Sequence, residues 1–347
     1  MSLFDVVAIG SLTRDSFWEI DVPIIQWEKT QSGKALAIPF GEKFGVSDMH
    51  MTLGGNAANA SVTFARQGLS AALFSRIGKD AEGEEAIRML RREGVSTNLV
   101  EVSKDLRTAF SVLFLRGGER SIFTYHGALN EFTLKSVRPE KLKSKWWYVS
   151  LPGNSYKEFP RVLSFAKREG VRVALNPSYK HLTGSGKIQL VRHLKDIAFL
   201  VLNTSEAAEL TGISFRDSER VFRALDELVP GIVAVTDGPR GVTVSDGHTL
   251  YKAGTFPEKK VRDRTGAGDA FGSGFVAGLA VKNEECKKGY CAPENVEYAV
   301  RLASANATSV VEHLGATEGI LTKKEFETQT RWRASRFKIH RAALQSL

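Results

Sequence analysis

Short apolar runs and longer amphipathic runs alternate along most of the chain. The short runs are β-branched or aromatic and are bounded by turn residues, as is typical of strands; they cover residues 6–9, 72–77, 147–151, 172–176, 199–203 and 231–236. The patterns typical of helices cover residues 56–67, 82–93, 156–168, 205–210 and 216–228. This alternation predicts an α/β fold whose mostly parallel central sheet is covered by helices on both faces. Ligands are then expected at the carboxyl ends of the strands.

Two stretches interrupt the alternation. Residues 12–50 contain Pro23, Pro39 and several glycines, with short strand patterns and no long helical pattern. Residues 107–126 are typical of a hairpin that turns at Gly117 and Gly118. We expect these stretches, taken as about 12–50 and 105–128, to pair into a small β-sheet lid inserted in one α/β domain that spans residues 1–347.

The charged residues give the chain a formal net charge of +9. Much of the excess lies in a basic C-terminal tail, about residues 323–347. A solvated helix is the simplest interpretation of this tail, and nucleic-acid binding is the alternative; we predict no nucleic-acid partner. Without the tail the chain is still mildly basic, which suits an anionic ligand such as a nucleotide. The basic residues that follow one another there without an acid are Arg331, Arg333, Arg336, Lys338 and Arg341.

The sequence has no pattern typical of a membrane span, because it contains no run of eighteen apolar residues. Its first residues, MSLFDVVAIGSL, include Asp5 and are typical of a strand rather than of a signal peptide. The two cysteines, Cys286 and Cys291, form no CxxC pair, and we expect both to be reduced thiols. Together these observations predict a cytoplasmic protein without a membrane partner.

The most informative segment is a glycine-dense turn that leads directly into an apolar helix, within residues 261–280. Gly266, Ala267 and Gly268 have little or no side chain, so their N–H groups can approach an anion at the helix N-terminus. Asp269 has two interpretations, as a helix N-cap or as a general base beside this anion hole. Phosphoryl transfer to an alcohol needs the second arrangement.

Two common nucleotide-binding motifs are absent, the GxxxxGK[ST] loop and a GxGxxG turn after the first strand. Two other motifs resemble those of the ribokinase-like (PfkB) carbohydrate kinase family. The sequence GGNAANAS at 54–61, followed by Gly68 and Gly78, is similar to the N-terminal signature of the family, and DRTGAGD at 263–269 is similar to its C-terminal signature. The resemblance extends over residues 4–322, and Arg264 departs from the small or β-branched residue usual at its position.

The resemblance implies an ATP-dependent phosphotransferase that uses Mg²⁺, and it allows a monovalent cation as a further cofactor. Asp269 would be the base, and the main chain of residues 266–268 the anion hole. Asn203 and Glu206 match an NxxE element that acts near the metal and phosphates through water, although the sequence around them also suits a strand end and a helix cap. The residues matched to nucleotide binding are Asn203, Thr236, Gly238, Gly241 and Asn306.

Two of these nucleotide-site assignments have simpler alternatives. The segment DGPRG, which contains Gly238 and Gly241, has the composition of a plain β-turn. Asn306 is matched to a contact beside the adenine, but it also suits the surface of a helix.

The acceptor site is matched to Asp15, Gly54, Gly55, Asn56 and Asn59. A carboxylate at residue 15 can accept hydrogen bonds from two alcohols at once, which suits a polyol. Arg107, Arg120 and His126 in the lid hairpin are either contacts for an anionic substrate or solvated side chains. The identity of the acceptor therefore stays open.

Two alternatives to a sugar kinase remain. A nucleoside kinase would need aromatic side chains to stack on a base; the candidates are Phe40, Phe44, Phe123 and Tyr125, for which core packing is the commoner role. A non-catalytic regulator that binds a sugar or a nucleotide would not need Asp269. Because lid sheets of this family often pair between subunits, we also expect a homodimer.

Overall fold

The structure is a computed structural model that describes residues 4–30, 32–117, 119–282, 291–333 and 337–344. Its strands are β1 (Phe4–Gly10), β2 (Thr13–Ile20), β3 (Ile24–Gln26), β4 (Lys34–Leu36), β5 (Val46–Gly54), β6 (Ala71–Phe74), β7 (Arg76–Gly78), β8 (Glu101–Ser103), β9 (Phe110–Arg116), β10 (Glu119–Tyr125), β11 (Ser144–Ser150), β12 (Arg172–Leu175), β13 (Phe199–Asn203), β14 (Ile232–Thr236), β15 (Val242–Ser245), β16 (Thr249–Ala253) and β17 (Ile339–Ala343). Its α-helices are α1 (Asn56–Arg66), α2 (Ala81–Arg92), α3 (Phe159–Glu169), α4 (Tyr179–Leu182), α5 (Gly184–Val191), α6 (Thr204–Thr211), α7 (Ser218–Leu228), α8 (Ala267–Val281), α9 (Pro293–Val311), α10 (Lys323–Thr328) and α11 (Thr330–Arg333).

The central sheet contains nine of the described strands, in the order β17-β16-β15-β14-β13-β12-β11-β1-β6. The pairings from β6 through β14 are parallel. The pairings among β14, β15, β16 and β17 are antiparallel. This arrangement confirms the predicted α/β fold with a mostly parallel sheet. Since β1 lies between β6 and β11, the chain reverses its direction of travel across the sheet there, and a crevice opens at the carboxyl ends of the strands.

The core has two layers because successive residues of each strand point to opposite faces of the sheet. Val7 and Trp147 pack with α3, α5, α6 and α7 on one face. Val6 and Trp146 pack with α1, α8 and α9 on the other face. Helix α8 is buried along most of its length, which explains why its sequence is apolar all round rather than amphipathic.

Close packing between α8 and α9 depends on two glycines of α8. A Cβ atom at Gly278 would lie 2.6 Å from Cα of Ala299, and one at Gly274 would lie 2.9 Å from Cα of Ala303. Larger side chains at these positions would push the helices apart. Gly274 and Gly278 therefore serve the packing of α8 against α9.

The lid predicted from the two interrupting stretches is present as a four-stranded sheet, in the order β10-β9-β2-β5. Strands β9 and β10 form the predicted hairpin and are joined at Gly117, while Gly118 lies outside the described residues. Alternation along β2 sends Asp15 to one face of the lid and Trp18 to the other. The lid thus has an inner face toward the site and an outer face away from it.

The basic tail is not a solvated helix, so this prediction is wrong. Strand β17 pairs with the edge strand β16 of the central sheet, and Trp332 and Phe337 are buried. Arg331 forms a bidentate ion pair with Glu312, and Arg341 binds Glu297 at 2.6 Å. The acidic partners of the tail lie in distant parts of the chain, so the local sequence of the tail does not indicate them. Arg336 lies outside the described residues.

The cysteine prediction also needs correction. Cys291, at the start of the segment that leads into α9, is buried and disulfide-bonded rather than a free thiol. Cys286 lies outside the described residues. Disulfides persist mainly in oxidising compartments, so the cytoplasmic localisation stays a prediction. In the described part of the chain, no helix has both the length and the apolar character to cross a membrane.

Candidate active site

Three parallel strands deliver polar residues to the same edge of the central sheet. Asn176 follows β12, Asn203 ends β13 and Thr236 ends β14. These strands are neighbours, so the three side chains come together at their carboxyl ends. Helix α8 begins at this edge as well, which places a helix N-terminus beside the polar cluster.

The turn before α8 is shaped by Gly266. This residue is the N-cap, and its φ of 78° lies in the left-handed region that favours glycine. A Cβ atom there would also lie 2.5 Å from Cβ of Ala316. No side chain caps this end of the helix, and the Ala267 N–H makes only a long hydrogen bond, 3.4 Å, to the carbonyl of Arg264, so the helix start is open to an anion. This is the main-chain geometry that an anion hole requires.

The carboxylate of Asp269 does not cap the helix, so the capping interpretation is wrong. Its Oδ1 accepts a hydrogen bond from Nδ2 of Asn176 at 2.9 Å, and its Oδ2 accepts one from Nδ2 of Asn59 at 3.2 Å. The two amides come from opposite sides, since Asn59 lies on α1 and Asn176 follows β12. They hold the carboxylate at the floor of a cavity, where an acceptor hydroxyl can reach it.

The pKa of Asp269 is raised to about 6, chiefly because burial disfavours the charged form. The hydrogen bonds from Asn59 and Asn176 act in the opposite direction, and the carboxylates of Glu206 and Asp15 raise the pKa further. A general base with a pKa near neutral pH accepts a proton more readily than an ordinary aspartate does. The raised pKa therefore suits the predicted role.

Two cavities meet beside Asp269. The first, about 410 Å³, is lined by Asp269 and Asp15 and is called the acceptor cavity here. The second, about 290 Å³, is lined by Ala267 and Phe271 and is called the donor cavity. Asn203, Thr236 and Gly268 border both cavities. A polyol and a nucleotide can therefore lie end to end, with their junction at the start of α8.

Most of the predicted acceptor residues line the acceptor cavity: Asp15, Gly55, Asn56 and Asn59. Asp15 accepts a hydrogen bond from Thr13 Oγ1 at 2.9 Å, and burial raises its pKa. Oδ1 of Asn59 is buried without a hydrogen-bond partner, so it can accept one from a substrate hydroxyl.

Gly54 has a different role from the predicted one. It does not line the acceptor cavity but lies against Asp15, where a Cβ atom would come within 2.1 Å of Oδ2 of Asp15. Its lack of a side chain thus leaves space for the carboxylate rather than for the sugar.

Asn203 and Glu206 form a reciprocal capping box at the start of α6. The Asn203 N–H donates to Oε2 of Glu206 at 2.8 Å, and the Glu206 N–H donates to Oδ1 of Asn203 at 2.9 Å. Both residues also border the acceptor cavity, and burial raises the pKa of Glu206. The helix cap and the site are therefore compatible, because the cap fixes these side chains at the cavity wall.

The donor cavity combines a polar end with an apolar one. Thr236, Gly238 and Gly241 line it as predicted, and Val242, Phe271 and Ala307 supply apolar walls. Gly241 has a φ of 99°, and a Cβ atom there would lie 2.0 Å from the carbonyl oxygen of Ala253. Residues 238–241 therefore form a tight turn that is also a wall of the donor cavity.

Asn306 does not line the donor cavity, so its predicted contact with adenine is wrong. The side chain is fully buried; Nδ2 donates to the carbonyl of Ala270 at 2.9 Å, and Oδ1 accepts from the N–H of Leu321 at 2.9 Å. Both ends of the amide are therefore used to fix α8 against the segment after α9. Ser304 and Thr308, on the same helix, line the cavity instead.

Several lid residues do not contribute to either cavity. Arg107 and His126 line neither, and Arg120 instead forms an ion pair with Asp263 at 3.4 Å. Four aromatic residues were candidates for base stacking or for core packing. They are exposed, which excludes core packing, and they do not line the acceptor cavity, which excludes stacking on a base there. They are Phe40, Phe44, Phe123 and Tyr125.

Two residues beside Asp269, Asn176 and Tyr148, are not among the site residues predicted from the sequence. Asn176 ends a predicted strand, so its position at a carboxyl end was a usable signal. Tyr148 lies within the apolar run of β11, where nothing distinguishes it from a core residue. Its buried hydroxyl would lie 2.6 Å from a Cβ atom at Gly272, and burial, followed by the charge of Asp269, raises its pKa well above the usual value.

The chain is similar to known sugar and nucleoside kinases. The chain is 27% identical to a ribokinase of Haemophilus influenzae over 301 residues, which cover 84% of this chain and 92% of the relative. It is 27% identical to an adenosine kinase of Saccharomyces cerevisiae over 270 residues, 72% of this chain and 78% of the relative. The structure of Arabidopsis thaliana ribokinase complexed with ribose and ATP shares the fold, with a TM-score of 0.75 at 22% identity over 96% of this chain and all of that one.

The family comparison covers most of the chain. The profile described as pfkB family carbohydrate kinase matches residues 24–323, a range that includes both glycine motifs, Asp269 and the strand ends of the site. Asp15 precedes the matched range, so its assignment depends on the geometry of the acceptor cavity. The chain belongs to the PfkB family of carbohydrate kinases.

Proposed function

We propose that this kinase transfers the γ-phosphoryl group of ATP to a hydroxyl of a sugar or sugar-like acceptor, with Asp269 as the general base. The observation that carries the proposal is the position of the Asp269 carboxylate, at the floor of the acceptor cavity and next to the junction with the donor cavity. A base at this point meets the acceptor hydroxyl where the phosphoryl group arrives.

The residues of the acceptor cavity orient the hydroxyls. Asp15 and Oδ1 of Asn59 accept hydrogen bonds from two of them, and Asn56 lies on the same turn of α1. Asp269 takes the proton from the reacting hydroxyl. The N–H groups of Gly266, Ala267 and Gly268 stabilise the charge of the transferring group, because they are already oriented at the helix start. Closure of the lid excludes water, which limits hydrolysis of ATP.

The carboxylates around the acceptor cavity fit a divalent cation. Among the described residues no three acidic, His or Cys side chains form a ready metal cage. Mg²⁺ keeps several water ligands, so one or two carboxylates and the phosphates of a nucleotide would be enough to hold it. Asn203 and Glu206 would hold it through water. When bound, Mg²⁺ would offset the negative charge of the phosphates. A monovalent cation stays a prediction; Oδ2 of Asp263, buried without a hydrogen-bond partner, is an atom that could bind one.

A nucleoside acceptor is the second candidate, and one observation favours it. Tyr179, which is 73% exposed, lines the mouth of the acceptor cavity, where its ring can stack on a base or on the apolar face of a sugar. The lid aromatics cannot serve this purpose because they lie elsewhere.

The test of the proposal is a kinase assay with ATP and Mg²⁺ across pentoses, hexoses, sugar acids and nucleosides. Turnover with a sugar supports the proposal, and turnover confined to nucleosides supports the second candidate. If the protein binds ATP but turns over none of these acceptors, the non-catalytic alternative gains support.

We expect kcat/KM to fall about tenfold for each pH unit below about 6, because protonated Asp269 cannot accept the hydroxyl proton. The measurement is kcat/KM for the acceptor between pH 5 and pH 8, with circular dichroism to show that the fold persists. Asp226 is the matched control, since burial raises its pKa to about 6 far from the site. The variant Asp226→Asn should keep the same profile, and a wild-type profile flat down to pH 5 would contradict the assignment.

We also propose a homodimer formed through the outer face of the lid. Met49, Phe114 and Phe123 share this face with Trp18, and Met49 and Phe123 are 58% and 62% exposed. Adjoining apolar side chains on a solvent-facing sheet mark an interaction surface.

We expect Phe123→Glu to convert the dimer into a monomer, because a buried carboxylate in the interface would lack a partner. Light scattering coupled to size exclusion measures the molar mass. The matched control is Ile188→Glu on α5, another exposed apolar residue but far from the lid, which should leave the mass unchanged. A monomeric wild type, or a Phe123→Glu variant that stays dimeric, would contradict the dimer.

A further inference from the structure

The charged side chains that line the two cavities are mostly acidic, although the proposed nucleotide ligand is an anion. The acceptor cavity is lined by the carboxylates of Asp15, Glu206 and Asp269, and the donor cavity by that of Glu258. Of the described residues that line either cavity, Arg264 is the one lysine or arginine. A polyphosphate bound here would face four acidic side chains and a single basic one. The placement of this one guanidinium therefore has a large influence on the binding of an anionic ligand.

Arg264 lies in the turn before α8, where it lines the donor cavity and also a neighbouring cavity of about 660 Å³ beside the lid. The preceding residue, Asp263, is held on the other side of the turn by Thr265 and by Arg120 of the lid. Arg264 itself lies two residues before the N-cap, Gly266, so its guanidinium is close in sequence to the anion hole. Its main chain is fixed as well, because its carbonyl accepts a hydrogen bond from Ala267 at 3.4 Å.

The guanidinium is paired with Glu258 in a way that permits exchange. Its two terminal nitrogens lie 3.2 and 3.3 Å from the two carboxylate oxygens, longer than usual for a charge-assisted hydrogen bond. The side chain of Arg264 is 43% exposed and that of Glu258 is 23% exposed, so water competes for both partners. A carboxylate with two oxygens occupies the same fork of donors that a phosphate group would use.

We propose that Arg264 binds the phosphate groups of the nucleotide, and that Glu258 occupies its guanidinium until the nucleotide displaces it. The inference rests on the proposed function, which places ATP in the donor cavity. The exchange replaces one anionic partner by another, so no charge is left unpaired on Arg264. Glu258 then acts as an internal competitor that weakens nucleotide binding, and its removal strengthens that binding.

The test compares ligands with and without phosphates. Binding of ATP, ADP and adenosine to wild-type protein and to Arg264→Ala is measured by calorimetry, without an acceptor. We expect the variant to lose about tenfold or more in affinity for ATP and ADP and less than about twofold for adenosine, because the lost contacts go to charged phosphates. The loss for ATP should shrink at high salt. Glu258→Gln should bind ATP more tightly than the wild type.

A neighbouring arginine provides the matched control. Arg262 is an exposed residue of the same segment. It borders the cavity beside the lid, as Arg264 does, but it does not line the donor cavity, so Arg262→Ala should bind all three ligands as the wild type does. An equal loss for ATP and adenosine in Arg264→Ala would show that Arg264 contacts the nucleoside part, and unchanged ATP affinity would show that it has no role; either result overturns the inference alone. A wild-type protein that binds no nucleotide would overturn the proposed function together with it.

Discussion

Asp269→Asn is expected to lower kcat about 10³-fold while the protein keeps its fold and its affinity for ATP. The amide cannot accept a proton from the acceptor hydroxyl, and loss of a general base costs about 10²- to 10⁴-fold. Asn59 and Asn176 both donate to the carboxylate, so the Nδ2 group of the variant needs an acceptor in place of one donor. The amide of Asn59 can supply it by flipping, because its Oδ1 has no other partner, and the surrounding chain need not move. The measurement is kcat with the best acceptor, together with the dissociation constant of ATP.

The stability of the same variant gives an independent check. The pKa of Asp269 in the folded state, about 6, lies above the ordinary value of an aspartate. The unfolded chain therefore loses this proton at a lower pH than the folded protein does, and the free energy of unfolding falls as the pH rises through this range. At pH 7 the group is ionised in both states, so the full loss of stability is present. A neutral amide removes this cost. We therefore expect the melting temperature of Asp269→Asn at pH 7 not to fall below that of the wild type.

The control for the kinetic result is Asp226→Asn, which removes another buried carboxylate with a raised pKa and should leave kcat unchanged. Near-normal turnover in Asp269→Asn would end the assignment of this residue as the base. A comparable loss in Asp226→Asn would show that the effect comes from altered stability and not from the chemistry.

The main features of the site could be predicted because they depend on local sequence. A glycine-rich turn before an apolar helix specifies a helix N-terminus open to an anion, and the ends of apolar runs mark the carboxyl ends of strands. These two signals place residues 266–269, Asn203 and Thr236 at one edge of the sheet, whereas the predicted roles of Asn203 and Thr236 in binding come from the resemblance to the family. The alternation of strands and helices then fixes the parallel order that brings them together.

The features that could not be predicted depend on contacts between distant parts of the chain. The local sequence around Asn306 is the same whether its side chain faces a ligand or a buried carbonyl. The packing of α8 against α9 determines that it faces the carbonyl of Ala270. The tail carries few acids of its own, yet Glu312 and Glu297 pair with Arg331 and Arg341 when β17 joins the sheet. Tyr148 is distinguished from its apolar neighbours only by what the fold places next to it.

Gly268→Ala is expected to lower kcat/KM about 10²-fold while making the protein slightly more stable. Gly268 lies in the first turn of α8 and borders both cavities, and a Cβ atom there would meet no protein atom within 4 Å. The methyl group would therefore occupy space at the junction of the cavities, beside the main-chain N–H groups proposed to hold the transferring phosphoryl group. The variant keeps its N–H groups, but a phosphoryl group displaced from one of them loses that contact, and loss of one such contact costs about 10²- to 10³-fold.

The expected gain in stability follows from helix propensity, since alanine in a helix is favoured over glycine by about 1 kcal/mol. Gly266→Ala is the matched comparison: its φ is positive and its Cβ would overlap Ala316, so this variant should lose activity and stability together. Unfolding in urea and kcat/KM, measured on both variants, separate the two effects. If Gly268→Ala keeps wild-type kcat/KM, the phosphoryl group does not pass over this turn of α8, and the anion hole must lie elsewhere.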